Sequence, residues 1–575
     1  MNTLLDVLRA CGMDPTSRGI TFYPDDPEEG EHLPYHELPG RVGASMQALR
    51  RAGVRRGDRV IVPFETDRDM LVAFFALMGL GALPLSIKPE GAGGPLEGYL
   101  EFVRTVVSRY GVRYVLRAPS TTTLEGVGAQ VLELPRPEQG IEPEFVEVGP
   151  DDLAFVQFSS GSTAFPKGIP VHHGRAVANM QHIVRLDGRR PEDPGASWLP
   201  LYHDMGLIGM LSSLVVGSPV HLHSPAQYLI DPIGWLHHLS RTRSFVFVTP
   251  NFGIDYALRR VREADPEDLE GLDLSALRWV YVGSEPINLV TLREFCDRLA
   301  LYGLRREVFK PCYGMAEAVL VVSCEGDGQA ARQRSFGSGS PMVGVGAVLP
   351  GFEIDIVDED GRSLPPGEPG EILLRGGTLA DGYFESDVPI CAEGRFYATG
   401  DVGCLHEGHL YIAGRVGDRM KINGQSYFAS AFEHTIESLP FVRPGRVSVI
   451  QPSDRVVVLA EIRDVRALLD RPRFRRMLGE HVFEQTGVKI RSEDVYFVCH
   501  GQLQKTSSGK LRRAAMAKAL RNGELVETNV LRHALDHLRG YVTRLQYLRR
   551  SGSGILPPAR SLRLGGLGLA SARRR

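Results

Sequence analysis

From Met1 to about Pro150, apolar and polar positions alternate between two periods. Glu37 to Arg51 has the 3.6-residue spacing of an amphipathic helix, and Gly57-Asp58 leads into a short buried run, Arg59 to Phe64. Asp69 to Leu80 is an apolar helix stopped by Gly81, followed by the extended run Ala82 to Ser86. Leu153 to Phe158 reads as a strand, and a polar loop separates it from Ile169-Pro170-Val171. Ala178 to Arg185 reads as a helix. Three further strands each end in a loop rich in Gly or Pro. Phe245 to Thr249 meets Pro250-Asn251-Phe252, Leu277 to Val282 meets Gly283-Ser284-Glu285-Pro286, and Val308 to Cys312 meets Tyr313-Gly314-Met315-Ala316-Glu317. Such alternation predicts a parallel or mixed α/β sheet, which binds ligands beyond its strand ends.

Near Glu353 the texture shifts to short strands and turns, Phe352 to Asp358, Gly370 to Arg375, Phe396 to Asp401 and His409 to Arg415. This predicts a small β subdomain attached to the larger α/β unit. Gly414 to Gly424 carries the turn residues and charges of a hinge. Beyond it, a helix at Phe432 to Glu437 and strands at Val447 to Ile450 and Val456 to Ala460 predict a small α+β domain. The expected organisation is an α/β N-terminal domain over 1–414, a small mobile α+β domain over 415–525, and a tail over 526–575. In that tail Leu531 to Arg550 suits a helix, Asp536 is the only acidic residue from Leu531 onward, and Ser551 to Arg575 has the composition of disorder.

Composition narrows the function classes. The 575 residues carry 66 Lys and Arg against 69 Asp and Glu, so no global charge favours nucleic acid. No apolar run approaches the roughly 20 residues that span a bilayer, and the first residues lack the pattern of a secretory signal. Seven scattered cysteines without a C-x-x-C pair predict neither a disulfide framework nor a zinc site, and suit a reducing cytoplasm. Arginine supplies nearly all the positive charge, so the lysines inside motif-like stretches, Lys167, Lys421 and Lys510, stand out.

Several residues have the chemistry of a site. Ser159-Ser160-Gly161-Ser162-Thr163-Ala164-Phe165-Pro166-Lys167-Gly168 concentrates backbone N–H groups, hydroxyls and one cation, as a polyphosphate requires, though not in Walker A spacing. The same residues also suit an ordinary polar turn. His203, beside Asp204 in a Pro- and Gly-punctuated segment, is either a cleft residue or structural. Asp401 at a Thr-Gly turn suits vicinal hydroxyls or an Asx turn. Glu317 alone would be a solvated acid, and Lys505 to Lys510 a solvated basic loop.

Taken in order, these loops resemble the adenylate-forming superfamily of acyl-CoA synthetases, adenylation domains and luciferases. The resemblance runs from about Ser17 to Leu520. It is nearest to the fatty acyl-AMP ligases, through Gln157 to Thr163, Ser197-Trp198-Leu199-Pro200-Leu201-Tyr202-His203-Asp204-Met205-Gly206-Leu207, Pro250-Asn251-Phe252 and Tyr313 to Ala318. It implies that Ser159, Ser160, Gly161, Ser162, Thr163 and Lys167 hold the departing pyrophosphate of ATP. Glu317 would bind Mg²⁺, Asp401 the ribose with help from Arg415, and Gly283, Ser284, Glu285, Tyr313, Gly314 and Met315 the nucleotide around adenine. His203 would stand near the substrate carboxylate and thiol entrance, and Lys510 would neutralise the charge that develops between the carboxylate and the α-phosphate as the pentavalent transition state forms.

The implied activity is ATP-dependent formation of an acyl adenylate from a carboxylic acid, fatty or hydrophobic, for polyketide or lipopeptide assembly. Domain rotation would then present the Gly424 loop to the phosphopantetheine thiol of an acyl carrier protein. Free coenzyme A is the alternative acceptor, and a catalytically silent binding relative is the alternative of another class. Four departures from the pattern bear on this: Ala164-Phe165 before Pro166-Lys167, Ala316, Gly417 at the hinge, and Gln504 before the lysine loop. The region where the ligase branch carries its insertion, between Glu317 and Asp358, contains Ser335 to Gly346 and is shorter than a full insertion.

Overall fold

A computed structural model describes the whole chain except residues 25–28, 93–95, 138, 159–166, 337–340, 387–388, 392–394, 423–424, 454, 506–510 and 537–575. The chain divides into two compact units. The first holds Met1–Arg334, Met342–Thr399 and Gly403–Ile412, and the second is built mainly from Ala413 onward with short pieces that include Gly400–Val402.

The first unit is α/β. A six-stranded sheet runs in the order Gln130–Glu133, Tyr114–Arg117, Arg59–Pro63, Leu83–Ile87, Leu153–Phe158, Gly168–His172. All neighbours in it are parallel except the last pair, so residues 159–167 join two antiparallel strands. The helix Arg68–Gly79 is apolar without a polar face because almost every residue on it is buried. The helix expected at Ala178 to Arg185 is longer, His173–Asp187, and ends on Gly188 in the left-handed region.

A second, 14-stranded sheet contains the parallel run Val246–Pro250, Trp279–Gly283, Phe309–Gly314. Beyond Phe309–Gly314 the sheet becomes antiparallel, through Val321–Cys324 and Met342–Val348 to the strands between Phe352 and Arg415. Aromatic and branched side chains fill the space between sheets and helices, with Phe74, Phe155, Trp279 and Phe309 all essentially inaccessible.

In the second unit, Val442–Ile450, Val457–Ile462 and Val495–Phe497 form a three-stranded sheet. The helices Ala429–Glu437 and Arg471–Thr486 bury Phe432, Ile436, Leu478 and Val482 in the same apolar cluster as Val449, Val458 and Phe497. The helix expected at Leu531 to Arg550 lies mostly outside the described residues.

Candidate active site

Because Val246–Pro250, Trp279–Gly283 and Phe309–Gly314 are neighbouring parallel strands, their terminal loops emerge along one edge. Two polar contacts lock the first two loops together. Glu285 accepts a hydrogen bond from the Phe252 backbone N–H, and Asn251 Oδ1 accepts one from the Asn288 N–H at 2.9 Å. Asn288 in turn caps the helix Leu289–Leu299. Between them Ser284 sits at φ +70°, a left-handed conformation that costs a side-chain-bearing residue about 1–3 kcal/mol and persists where surroundings over-determine it.

The third loop is a hairpin that turns sharply at Gly314. A Cβ there would lie 1.8 Å from the Leu320 carbonyl oxygen, so only glycine permits the approach. Met315 N–H donates to that same carbonyl at 2.9 Å. The one-turn helix Ala316–Ala318 carries Glu317 and ends at Val319, whose φ of +70° and ψ of −58° are rare for a β-branched residue. A buried amide holds this turn in place. Asn179, on the helix His173–Asp187, donates to the Val321 carbonyl at 2.9 Å and to Thr378 Oγ1 at 3.1 Å, and accepts from the Val321 N–H at 3.2 Å. Thr378 donates onward to the Ala318 carbonyl at 2.6 Å, and Ala380 N–H donates to the Glu317 carbonyl at 2.7 Å.

The Glu317 side chain meets Tyr383, whose hydroxyl donates to Oε1 at 3.1 Å. On the same tyrosine, the Lys167 ammonium lies 4.2 Å from the ring centroid, a cation–π contact. Gly168, next to Lys167, is held by the Tyr110 hydroxyl at 3.3 Å and by the Phe384 N–H, which donates to its carbonyl at 2.8 Å. Lys167 and Glu317 are therefore brought together through residues 378–384. Ser159, Ser160, Gly161, Ser162 and Thr163 lie outside the described residues.

His203 occupies the cap position of the helix Asp204–Val216, with Asp204 opening its first turn. The turn is tight because Gly206 admits the Pro200 carbonyl, which a Cβ would meet at 2.2 Å. The His203 ring lies 4.6 Å from that of Tyr202, and burial pushes the Tyr202 hydroxyl up to about 12. Upstream, Trp198 stacks on Tyr228 at 4.0 Å and meets the edge of Phe252 from the first strand-end loop.

In the second unit, Arg415 Nε donates to Asp401 Oδ1 at 3.0 Å. The expected Thr-Gly-Asp turn is corrected. Asp401 lies inside the long strand Tyr397–His406, which tolerates Gly400 at φ +72°, and its carboxylate is mostly buried. Lys510 and Gly424 lie outside the described residues. The ends of the Lys510 loop are nonetheless joined, by an antiparallel bridge between Lys505 and Leu511 and by Arg512 N–H donating to the Gln504 carbonyl at 2.9 Å. Arg513 then anchors the chain, with Nη2 2.6 Å from Glu433 Oε2 and a second ion pair to Asp418.

Among the described residues no cluster of three His, Cys, Asp or Glu side chains is placed to hold a metal. Mg²⁺ does not require one, because it is commonly bound through one or two carboxylates plus substrate phosphates. Glu317, oriented by Tyr383 and near the Lys167 cation, fits that donor chemistry. Cys11, Cys296, Cys312, Cys324, Cys404 and Cys499 are free thiols, and no described helix is long and apolar enough to cross a membrane.

A narrow cavity of about 50 Å³ opens among Met205, Gly209, Met210, Phe247, Val248 and Leu320. Its charged lining residue, Arg189, is bound to Asp187 through a 3.1 Å ion pair and donates to Ser213 Oγ at 3.2 Å. Tyr281 donates to the same Asp187 at 3.1 Å. Cys312 and Met205, which also line the cavity, are close in sequence to Tyr313 and His203.

Asn179, Thr378 and Tyr383 did not emerge from sequence reasoning. An Asn at a core-facing helical position is a usable signal for the first, whereas nothing local distinguishes the other two.

Comparison with known proteins identifies the family. Residues 13–384 match the family of AMP-binding enzymes. A putative fatty-acid–CoA ligase of Mycobacterium tuberculosis is 30% identical over 91% of this chain and 98% of its own. A medium-chain-fatty-acid–acyl-carrier-protein ligase of Moorena producens is 26% identical over 91% of this chain and 96% of its own. A solved structure from a study of fatty acyl-adenylate ligases of E. coli and L. pneumophila has a TM-score of 0.83 at 26% identity, covering 91% of this chain and 98% of that one. The matched span contains the three strand-end loops and the Glu317–Tyr383 contact, and the chain belongs to the AMP-binding enzyme family.

Proposed function

We propose that this enzyme activates a carboxylic acid with an apolar chain by adenylation and passes the acyl group to the phosphopantetheine thiol of an acyl carrier protein. The observation that carries the reading is the cavity lined by Met205, Met210, Phe247 and Leu320. Its walls are apolar, and Arg189 is committed to Asp187 and Ser213. Burying an aliphatic chain there removes about 0.8 kcal/mol of unfavourable hydration per CH₂, while a second charge on the substrate would find no partner.

In the reaction a carboxylate oxygen attacks the α-phosphorus of ATP, the bond to the β-phosphate bridging oxygen breaks, and pyrophosphate leaves with the electron pair. Residues 159–163 and Lys167 would hold that leaving group. The strand-end loops at Gly283-Ser284-Glu285 and Tyr313-Gly314-Met315 would frame the adenine, and Asp401 with Arg415 would take the ribose. Lys510 would neutralise charge shared between the carboxylate and the α-phosphate. Mg²⁺ held by Glu317 would supply charge screening on the phosphates. A thiol then attacks the acyl carbon, and AMP departs. His203 would stand at that entrance.

The carrier acceptor is supported by the Moorena ligase, and the reading with free coenzyme A by the mycobacterial relative. Acid-dependent ATP–pyrophosphate exchange across short, medium, long and aryl acids tests the first half. No exchange with any of them would sink adenylation. Thioester formation with a phosphopantetheinylated carrier but not with coenzyme A would support the acceptor named here, and equal rates with both would overturn it.

A further inference from the structure

The apolar cavity has a size as well as a chemistry, and the two layers that enclose it set that size. On one side is the helix Asp204–Val216, where Met205, Gly209, Met210 and Ser213 fall at i, i+4, i+5 and i+8 and so share a face. On the other side four strands that lie next to one another, Phe309–Gly314, Trp279–Gly283, Val246–Pro250 and Gly195–Ser197, contribute to the lining. Helix and sheet come closest where the backbone is bare. A Cβ on Gly209 would lie 3.3 Å from Val248 Cγ1, and one on Gly195 would lie 3.3 Å from Ser213 Oγ. At these two points the space between the layers is what the glycines leave.

The result is a channel too small for a ring. Its volume is about 50 Å³, whereas a cavity that accepts benzene measures roughly 150 Å³. At about 10–15 Å³ for each water-sized group, it holds about four such groups. The end away from Met205 is closed by bonded polar groups rather than by loose side chains. Arg189 donates to Ser213 Oγ at 3.2 Å and pairs with Asp187 at 3.1 Å, and the Tyr281 hydroxyl donates to the same Asp187. A chain that pushed past Ser213 would part a buried guanidinium from its carboxylate, and neither charge could then reach water. On the helix side the bounding bulk is Met210, which is 1% exposed and follows Gly209 directly.

We propose that this cavity selects short, unbranched aliphatic acids with about four carbons beyond the carboxyl group, and that Gly209 and Met210 set the limit. The glycine keeps the channel open to the width of one chain, and the methionine keeps it from being wider. The proposal rests on the acid-adenylating reading above and narrows it to one substrate class. Rings and branched chains are excluded by width, and long chains by the Arg189 end.

The test is ATP–pyrophosphate exchange on the full chain, read as kcat/KM for propanoate, pentanoate, dodecanoate, 3-methylbutanoate and benzoate. One methylene more or fewer in a fitted apolar pocket changes kcat/KM by about 10–200-fold, so pentanoate is expected to exceed dodecanoate, 3-methylbutanoate and benzoate by at least about tenfold. Two variants should move the preference in opposite directions. Gly209→Ala sets a methyl group against Val248 and is expected to lower the ratio of pentanoate to propanoate at least about tenfold. Met210→Ala widens the channel and is expected to raise the ratio of 3-methylbutanoate to pentanoate by a similar factor. Ratios taken within one preparation do not depend on how much of a variant is folded. An unchanged ratio in Gly209→Ala overturns the part given to the glycine, and an unchanged ratio in Met210→Ala the part given to the methionine. Dodecanoate or benzoate matching pentanoate in the wild type overturns the size limit while the adenylating reading stands. A wild type silent with every acid brings down that reading and the inference with it.

Discussion

Two polar anchors, on Asn179 and on Arg513, hold chain segments in the two units and are built on opposite principles. In the first unit Asn179, fully buried, holds the Glu317 turn with a neutral amide that engages carbonyls, a backbone N–H and the Thr378 hydroxyl. In the second unit Arg513, three residues beyond Lys510, is clamped by Glu433 and Asp418. Burial opposes the Arg513 charge, but the two carboxylates outweigh it and raise the guanidinium above its ordinary value. Glu433 also accepts from the Val449 N–H at 2.9 Å, tying the cluster to the small sheet. An amide can bind several backbone groups within one strained turn at no cost in charge desolvation. An ion cluster reaches farther and fastens separate elements, but removing one member leaves a charge stranded. The first design suits a turn whose shape matters, the second a loop whose ends must stay put.

The largest effect should come from breaking the ionic anchor. Arg513→Ala leaves Glu433 buried without its cation, and such losses cost about 3–5 kcal/mol. Urea unfolding followed through the second unit should show it. A loss under about 1 kcal/mol would mean that Glu433 escapes to water and the cluster is not an anchor. Asn179→Ala should cost less, about 1–3 kcal/mol for the buried groups left without partners. It should also weaken Mg²⁺-dependent nucleotide binding, because the Glu317 turn loses its support. A stability loss with unchanged Mg²⁺ dependence would separate the amide from the site.

A third set of buried polar groups in the first unit responds to pH. The His238 ring lies 5.3 Å from that of His221 and 4.2 Å from that of His223, beside Tyr23 and Trp235. Burial lowers His221 and His223 to about 4 and about 3, with His32 adding to the effect on the first and His221 and Arg241 on the second. His238 falls to about 2 through burial and the neighbouring His223, His221 and Arg241. The unfolded chain takes up these protons near pH 6.5 and the folded chain does not, so stability is complete above about 6.5 and is lost as the pH falls toward 4, by about 1.4 kcal/mol per unit for each ring. Calorimetric melting of the wild type and of His238→Phe over that range checks the sign. The variant should show the shallower slope, and equal slopes would assign the loss to other groups.

The smallest effect concerns strain. Val319 is 3% exposed at positive φ, so glycine there removes a buried side chain while releasing about 1–3 kcal/mol of backbone strain. Val319→Gly should therefore be no less stable than Val319→Ala, the reverse of the usual order. A clearly less stable glycine variant would show that the turn is unstrained.

Much of the scaffold was legible because its signals are local. The helix Leu38–Arg51 follows from a 3.6-residue pattern, the strand Leu153–Phe158 from an apolar run bounded by a polar loop, and the strand-end loops from Gly and Pro at the ends of buried runs. The helix His173–Asp187 was read too short because its first turn, His173-Gly174-Arg175, has no cap motif and a glycine, and packing rather than propensity holds it. Asp401 was read as a turn residue because Thr-Gly-Asp is turn chemistry, yet pairing with neighbouring strands kept the segment extended.

What the sequence determined by itself is which chemistries are present and in what order along the chain: a Ser-, Thr- and Gly-rich loop with Lys167, an acid after Tyr313, an Asp–Arg pair, and a lysine loop near the end. The tertiary structure decided which of them meet. Tyr383 joins Lys167 to Glu317, and Asn179 holds a turn 139 to 142 residues away. A hydrogen bond depends on a few tenths of an ångström and on angle, and those are set by how sheets and helices pack, a global outcome that no short stretch of sequence encodes.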